Sequence, residues 1–343
     1  MKRTVKFEKE KERDRDFSQL PSDCPHLRLH IQLEMEYMMF DDLRPTREEW
    51  VIRKNSQVNI SIFFTCCTYR LTAQSLGIKE LLPAYLDPNL KPADLLTGVC
   101  FASGAAGYDP LTAKVVNVLG LSAQINMFKE YIGKLKAMVG EERSASILSN
   151  SLYLVVGGSD DIANTYLGTP FRKFKYDIPA YTDLMVRGAA AFIQELYDLG
   201  ARRFGVFSAP PLGCLPSQRT LRGGKQRTCV DGPNQAALLF NSKLFAALAR
   251  FNIKYSESKA IYIDTYSSIL QIINNPHSYG FEEVSRGCCG TGKLEVSILC
   301  NKLSPGTCSD PSKYVFWDSY HPTEKTYKIL VDELLQKNVD KFF

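Results

Sequence analysis

Short apolar runs alternate with helical patterns over most of this 343-residue chain, and this alternation constrains its fold more than any other feature. The runs are brief and nearly continuous, as in strands that are buried on both faces. The predicted strands are 98–103, 152–157, 204–208, 260–264 and 314–316. The predicted helices are 122–139, 181–199, 233–255 and 323 to the C-terminus. Strands that alternate with helices predict an α/β fold in which helices cover a parallel sheet.

The first 70 residues lack this regularity. Residues 1–16 are dominated by Lys, Arg, Glu and Asp, which predicts a solvated, disordered tail and not the apolar core of a signal peptide. A short helix is predicted at 31–40, and the β-branched residues of 58–65 predict one strand. We therefore predict a boundary after residue 70, with 1–70 as a separate segment and 71–343 as one domain.

Composition excludes some classes of partner. Hydrophobic residues make up 45% of the chain, charged residues 23%, and the formal net charge is +5. These values are typical of a globular protein, and the interleaving of basic and acidic residues predicts no nucleic-acid partner. The longest apolar stretch, 58–67, is too short to cross a bilayer, so no transmembrane segment is predicted.

The cysteines are concentrated in the second half of the chain, within Gly- and Pro-rich sequence. Six of the ten lie there, namely Cys214, Cys229, Cys288, Cys289, Cys300 and Cys308. A zinc site would need ligand pairs at short, regular spacing, which these do not form. The pattern favours disulfides and hence an oxidising compartment, although the N-terminus, which shows no signal peptide, would suit the cytoplasm.

Three of the predicted strands end in chemically unusual sequence, at the edge of the sheet where ligands bind. In residues 101–107 the strand runs into small residues, so backbone N–H groups near Gly104 and Gly107 could approach a developing negative charge, as in an oxyanion hole. The alternative is a tight turn that uses glycine for backbone freedom. Residues 155–161 end in a polar turn, where Ser159 or Asp160 could face a substrate or instead cap the next helix.

The third unusual end is the segment 316–322, which contains Asp318 and His321. A carboxylate three residues before a histidine can hold one imidazole nitrogen while the other faces a nucleophile. These two residues are therefore the predicted orienting acid and general base of a hydrolytic site. The alternative is a surface histidine near the start of a helix.

Taken in order, these segments resemble the plant GDSL esterase/lipase family of the SGNH hydrolase superfamily, and its extracellular-lipase branch in particular. The resemblance extends from about residue 72 to the C-terminus. It is carried by the segments 74–78, 81–86, 101–104, 200–203, 211–216, 286–290 and 316–322.

The resemblance implies a flavodoxin-like α/β/α sandwich, secretion, and hydrolysis of small-molecule or lipid esters without a cofactor or metal. His321 matches the family's general base and Asp318 its orienting acid. Gly104, and less directly Gly107, match the glycine that supplies an oxyanion-hole amide. Asp160 stands where the family's Gly-x-Asn-Asp block has its asparagine.

That asparagine supplies N–H donors, whereas an ionised carboxylate only accepts hydrogen bonds. Loss of one oxyanion donor lowers turnover by roughly 10²–10³-fold, and a negative charge is expected to do worse. Asp160 could donate only if its pKa were strongly raised. We therefore expect impaired catalysis.

The second departure concerns the nucleophile. The family's serine lies in a Gly-Asp-Ser run after the first strand, and no such run occurs in this sequence. The strand predicted at 58–65 could replace the first strand, with Thr65, Cys66 or Cys67 near its end, so the nucleophile is unknown. Three hypotheses follow: a weak or inactive ester hydrolase, a binding protein without turnover, or a truncated gene product.

Overall fold

Five parallel strands form the central sheet of the protein, described by a computed structural model over residues 60–63, 82–296, 299–300 and 304–342. Their order across the sheet is β2-β1-β3-β4-β5, so the first strand lies between the second and the third. The strands are β1 (Ile60–Phe63), β2 (Gly98–Cys100), β3 (Leu152–Val155), β4 (Arg203–Phe207) and β5 (Lys259–Ile263). All four strand pairs are parallel, which confirms the predicted α/β class.

The strand predicted at 58–65 is present as β1. Ile60 is in register with Gly98 on one side and with Leu152 on the other. This segment therefore occupies the central position that the family's first strand would take, as proposed for a replacement strand. Because neighbouring strands are parallel, the chain leaves Phe63, Cys100 and Val155 toward the same edge of the sheet. The helix predicted at 31–40 lies outside the described residues.

Helices cover both faces of the sheet. On one face, Tyr153 and Val155 belong to the larger apolar cluster together with side chains from the long helices. On the other face, Leu152 and Leu154 pack with Leu334 of the last helix. The alternation of side chains along β3 thus produces two apolar layers, and the result is a three-layer α/β/α arrangement.

The helices begin and end close to where the sequence places them. The four predicted helices correspond to Leu121–Val139, Ile178–Asp198, Asp231–Lys254 and Glu324–Phe342. In chain order the helices are α1 (Pro92–Leu95), α2 (Pro110–Val115), α3 (Leu121–Val139), α4 (Glu141–Asn150), α5 (Pro170–Lys173), α6 (Ile178–Asp198), α7 (Pro216–Arg222), α8 (Asp231–Lys254), α9 (Thr265–Asn274) and α10 (Glu324–Phe342). Aspartates start three of them: the carboxylates of Asp109, Asp177 and Asp264 accept backbone N–H bonds at the first turns of α2, α6 and α9.

The prediction that 314–316 belongs to the main sheet is wrong. Tyr314–Phe316 (β7) pairs in parallel with Glu283–Gly287 (β6) in a separate two-stranded sheet. The sequence of β6 is polar, with Glu283 and Arg286 in it, so it carries no apolar signal. A three-residue run such as β7 can satisfy its backbone on this short partner without joining the larger sheet.

The six C-terminal cysteines form three disulfides with one another, which confirms the prediction of disulfides over a metal site. The pairs are Cys214–Cys229, Cys288–Cys308 and Cys289–Cys300. Among the helices of the described part of the chain, none has both the length and the apolar character that a membrane span requires.

Candidate active site

Asp318 and His321 lie in the loop between β7 and α10, and the structure brings their side chains together. Oδ2 of Asp318 is 2.8 Å from Nδ1 of His321. Oδ1 of Asp318 accepts the backbone N–H groups of Tyr320, at 2.7 Å, and of His321, at 2.6 Å. The carboxylate therefore stabilises a tight turn of the backbone that follows it, and this turn fixes the positions of the carboxylate and of the imidazole.

The loop is supported by the disulfide-linked segment that follows β6. The backbone N–H of Cys288 donates to the Phe316 carbonyl and that of Cys289 to the Trp317 carbonyl. A Cβ at Gly287 would lie 2.5 Å from the carbonyl oxygen of Asp318, so only glycine lets the two chains approach this closely. The disulfides of Cys288 and Cys289 thus stabilise the segment against which the Asp318 loop packs.

Asp318 is ionised at neutral pH. Its burial raises the pKa, but the charge of His321 and the hydrogen bonds from His321 and Tyr320 outweigh burial, so the pKa lies below its ordinary 3.8. A carboxylate only accepts, so the proton of a neutral His321 resides on Nδ1 and its basic lone pair on Nε2. The His321 side chain keeps 36% of its surface exposed, so a ligand can reach it.

Asp160 lies in the turn after β3, beyond two glycines. Gly158 has a φ of +100°, and a π-helix (Asp161–Tyr166) follows the turn. The Asp160 side chain makes no capping hydrogen bond, so the interpretation of Asp160 as a helix cap is wrong. Its Oδ1 instead accepts from the Asn164 side-chain amide at 2.6 Å.

A hydrogen-bonded chain links this turn to the His321 loop. The Tyr320 hydroxyl donates to Oδ1 of Asn164 at 3.0 Å, while Nδ2 of Asn164 donates to Asp160. The two hydrogen bonds are consistent with each other: the Tyr320 hydroxyl engages the oxygen of the Asn164 amide, so the NH₂ end of that amide faces Asp160. Sequence reasoning missed Asn164, although its i+4 spacing from Asp160 on a helix is the signal that could have identified it.

The pKa of Asp160 is raised from 3.8 to about 7. Burial is the main cause, the charge of Asp161 adds to it, and His321 partly offsets both. Asp160 is therefore protonated in a large fraction of molecules near neutral pH, which is the condition under which a carboxyl group can donate a hydrogen bond.

Asp161 joins the same turn to the small-residue loop after β2. Its carboxylate accepts the backbone N–H groups of Tyr108 and Asp109, each at 2.9 Å, and the Thr112 hydroxyl at 2.6 Å. A Cβ at Gly107 would lie 2.2 Å from Oδ1 of Asp161, so glycine is required there by packing. Gly104 lies half-buried in the same loop, next to Ala105, which has a φ of +61°.

Several of the predicted site residues are connected by contacts, while Gly104 is placed only in the same loop as Gly107. Asp318, His321 and Asp160 are connected through Tyr320 and Asn164, and Gly107 is attached through Asp161. The candidate nucleophiles Thr65, Cys66 and Cys67 lie outside the described residues.

Comparisons with known proteins identify the family of the chain. A family model described as "GDSL-like Lipase/Acylhydrolase" matches residues 67–334. GDSL esterase/lipase EXL3 of Arabidopsis thaliana is 55% identical over 272 residues, which cover 79% of this chain and 74% of that protein. GDSL esterase/lipase EXL2 of the same plant is 48% identical over 280 residues, covering 78% and 74%.

Among solved structures, "BT4096 a gut microbial diltiazem-metabolizing enzyme" matches with a TM-score of 0.36 and 10% identity, over 82% of this chain and 46% of that one. The chain belongs to the GDSL-like lipase/acylhydrolase family, whose plant members are named as esterases and lipases.

Proposed function

We propose that this site hydrolyses carboxylic esters of small molecules or lipids, with His321 as general base and Asp318 as its orienting acid. The 2.8 Å contact between Nδ1 of His321 and the ionised Asp318 carries the proposal. It sets the tautomer in which Nε2 can take a proton from a nucleophile. Membership of the GDSL family supports the ester as the bond attacked.

The developing oxyanion would be met by backbone amides near Gly104 and Gly107 and by the side chain of Asp160. Asp160 donates only in its protonated form, and its pKa of about 7 leaves part of the population unable to do so at neutral pH. We therefore propose that turnover is slow compared with a site that carries asparagine at this position.

The nucleophile belongs to the segment that follows β1 in this proposal. The family's Gly-Asp-Ser run is absent from the sequence, and Thr65, Cys66 and Cys67 are the nucleophilic side chains that come next after Phe63. The hydrolase domain would then be 71–343 with β1 added at its centre, and the remainder of 1–70 would be a separate segment. The three disulfides favour a protein that works in an oxidising, extracellular compartment.

The test is hydrolysis of p-nitrophenyl butyrate by the purified protein and by its His321→Ala variant. The matched control is His277→Ala, which removes an exposed histidine from the short helix Pro276–Tyr279. We expect turnover to fall to background in the first variant and to persist in the second. Equal turnover in wild type and His321→Ala would contradict the proposal.

The nucleophile is then assigned by Thr65→Val, Cys66→Ser and Cys67→Ser, made one at a time. Loss of turnover in one variant, with an unchanged midpoint of thermal unfolding, identifies that residue. Full turnover in all three rejects this segment as the source of the nucleophile.

Asp160 supports a second candidate function, which is binding of an acyl ligand without turnover. A carboxylate in place of an oxyanion donor removes a group needed for catalysis and leaves the other residues of the site unchanged. This function predicts that folded wild type hydrolyses no ester but binds a medium-chain fatty acid or alcohol in calorimetry. Ester hydrolysis that depends on His321 would exclude it.

A further inference from the structure

Two phenylalanines project from the short helix α5 and the residue that follows it. Phe171 is 63% exposed and Phe174 is 88% exposed, which makes Phe174 the most exposed large apolar side chain of the described residues. Lys173 and Lys175 alternate with them and are also exposed. Exposing two aromatic rings to water is unfavourable unless something covers them, so such a patch indicates an interaction surface.

The backbone beneath the patch is firmly held. Nε of Arg172 donates to Oδ2 of the buried Asp109 at 2.6 Å, and a second guanidinium nitrogen contacts the other carboxylate oxygen. The Tyr166 hydroxyl donates to the Tyr176 carbonyl at 3.1 Å. Because α5 is anchored on both sides, the two rings are presented in a fixed arrangement, and within the described part of the chain they stay largely exposed.

The anchor also ties the patch to the candidate active site. The backbone N–H of Asp109 donates to Oδ1 of Asp161, which is the neighbour of Asp160. The chain that carries Phe171 leaves the π-helix after Tyr166, only three residues before α5 begins at Pro170. A surface that engages the patch is therefore held beside the loops that contain Gly107 and Asp160.

We propose that Phe171, Phe174, Lys173 and Lys175 form an interfacial patch that docks the protein on an anionic lipid surface. Aromatic rings enter the boundary between headgroups and acyl chains, while lysines beside them contact the phosphates of anionic lipids. Residues 169–180 contain a single acid, Asp177, which caps α6, and three cations, of which Arg172 is paired with Asp109. Lys173 and Lys175 therefore give the patch its positive charge. A one-turn helix offers too little area for a stable protein–protein interface, so the lipid surface is the better fit.

The test is co-sedimentation of the full chain with vesicles of phosphatidylcholine alone or mixed with phosphatidylserine. We expect wild type to bind the mixed vesicles more tightly, and Phe171→Ser/Phe174→Ser to lower the partition coefficient by about tenfold or more. Lys173→Gln/Lys175→Gln should remove the preference for phosphatidylserine, by about fivefold per lysine, and make binding insensitive to salt.

The matched control is Ile253→Ser, which removes an 84% exposed apolar side chain beside Lys254, at the end of α8. It should bind vesicles as wild type does, and all variants should unfold at the wild-type temperature because the changed side chains are exposed. Wild type that ignores the mixed vesicles, or a double phenylalanine variant that binds them normally, would overturn the proposal. Neither result depends on catalysis, so failure here leaves the proposed esterase function untouched.

Discussion

Asp318 and Asp160 are two carboxyl groups of one site, and their pKa values move in opposite directions. The pKa of Asp318 lies below 3.8, whereas that of Asp160 is raised to about 7. Burial raises both, so burial does not explain the difference. Asp318 accepts two backbone N–H groups and faces His321, while Asp160 accepts one side-chain amide and lies beside the negative Asp161.

The contrast shows that burial alone does not set the pKa of a carboxyl group: at Asp318 the charge of His321 and the hydrogen-bond donors outweigh burial, and at Asp160 they do not. Around Asp318, the loop supplies donors for a carboxylate. Around Asp160, Asn164 supplies one side-chain donor, and the backbone N–H of Asp160 itself adds only the smallest of the contributions to the pKa. These surroundings suit an amide side chain at position 160. Its oxygen would accept the hydrogen bond from Asn164, and its NH₂ group would be left to donate to a ligand. A protonated Asp160 reproduces that pattern, and an ionised one does not.

The largest effect is expected from Asp318→Asn. The new amide can still accept from the Tyr320 and His321 backbones, but its NH₂ group opposes Nδ1 of His321 and favours the wrong tautomer. Turnover should fall by about 10⁴-fold while the fold is kept. Ester hydrolysis and circular dichroism measure the two effects, with Asp310→Asn, a half-buried aspartate of the same region of the chain, as control. Unchanged turnover would show that Asp318 does not orient the base.

Asp160→Asn is expected to have the opposite effect on turnover, because it restores a hydrogen-bond donor at the proposed oxyanion position. At pH 8, where Asp160 is mostly ionised, turnover should rise by roughly 10²–10³-fold. The gain should shrink as the pH falls through about 7, the pKa of Asp160. A pH profile of kcat for both proteins checks this, and a gain that is equal at all pH values would argue against titration of Asp160.

Asp160 and Asp318 are also expected to change the free energy of unfolding in opposite directions. The folded-state pKa of Asp160 is raised, so its contribution to stability is present below about pH 4 and is lost as the pH rises to about 7. Asp160→Asn should therefore increase the free energy of unfolding at pH 8 by about 2–4 kcal/mol and change it little at pH 4.

Asp318 has a lowered pKa, so its contribution is present above 3.8 and is lost only as the pH falls through the folded-state value. Asp318→Asn should thus destabilise at pH 8, the opposite sign. Urea unfolding at the two pH values measures the change in the free energy of unfolding for each variant. A change of the same sign in both variants at pH 8 would contradict the contrast between Asp160 and Asp318.

A smaller effect is expected where the Asp160 turn meets the loop after β2. Gly107→Ala places a methyl group against the Asp161 carboxylate and should lower the free energy of unfolding by about 1–3 kcal/mol. Gly133→Ala in α3 is the control, since nothing lies within 4 Å of its Cβ position and the helix gains from alanine. Thermal unfolding should therefore move in opposite directions for the two variants.

The smallest effect is that of Tyr320→Phe, which removes the hydroxyl that orients Asn164. Loss of this hydrogen bond should cost about 1 kcal/mol in the free energy of unfolding. Tyr314→Phe, on β7, should be nearly neutral. If both variants are equally stable in urea, the link between the two halves of the site contributes nothing measurable.

The sequence predicts the fold better than the details of the site. Apolar runs located β2 to β5 because parallel strands are buried on both faces, and 3.6-residue periodicity located the four long helices. The strand β6 was not predicted because its residues are polar. The strand β7 was assigned to the wrong sheet because strand pairing is decided by long-range contacts, which a local sequence pattern does not contain.

For the site, the three-residue spacing correctly predicted that Asp318 and His321 meet. The pKa of Asp160 could not be predicted, because it depends on burial and on the charge of Asp161 in three dimensions. The role of Asn164 also depends on Tyr320, which is distant in sequence. The roles of Gly104, Gly107 and Asp160 at an oxyanion stay predictions.

The most direct test of this account is an NMR titration of the aspartate carboxyl carbons, in wild type and in Asp160→Asn. We predict a carboxyl signal that titrates near pH 7 in wild type and is missing from the variant, while the Asp161 signal, with a pKa of about 6, is present in both proteins. The signal lost in Asp318→Asn should titrate below 3.8. The account would be contradicted if every wild-type aspartate titrated below about pH 5, or if the signal near pH 7 survived in Asp160→Asn.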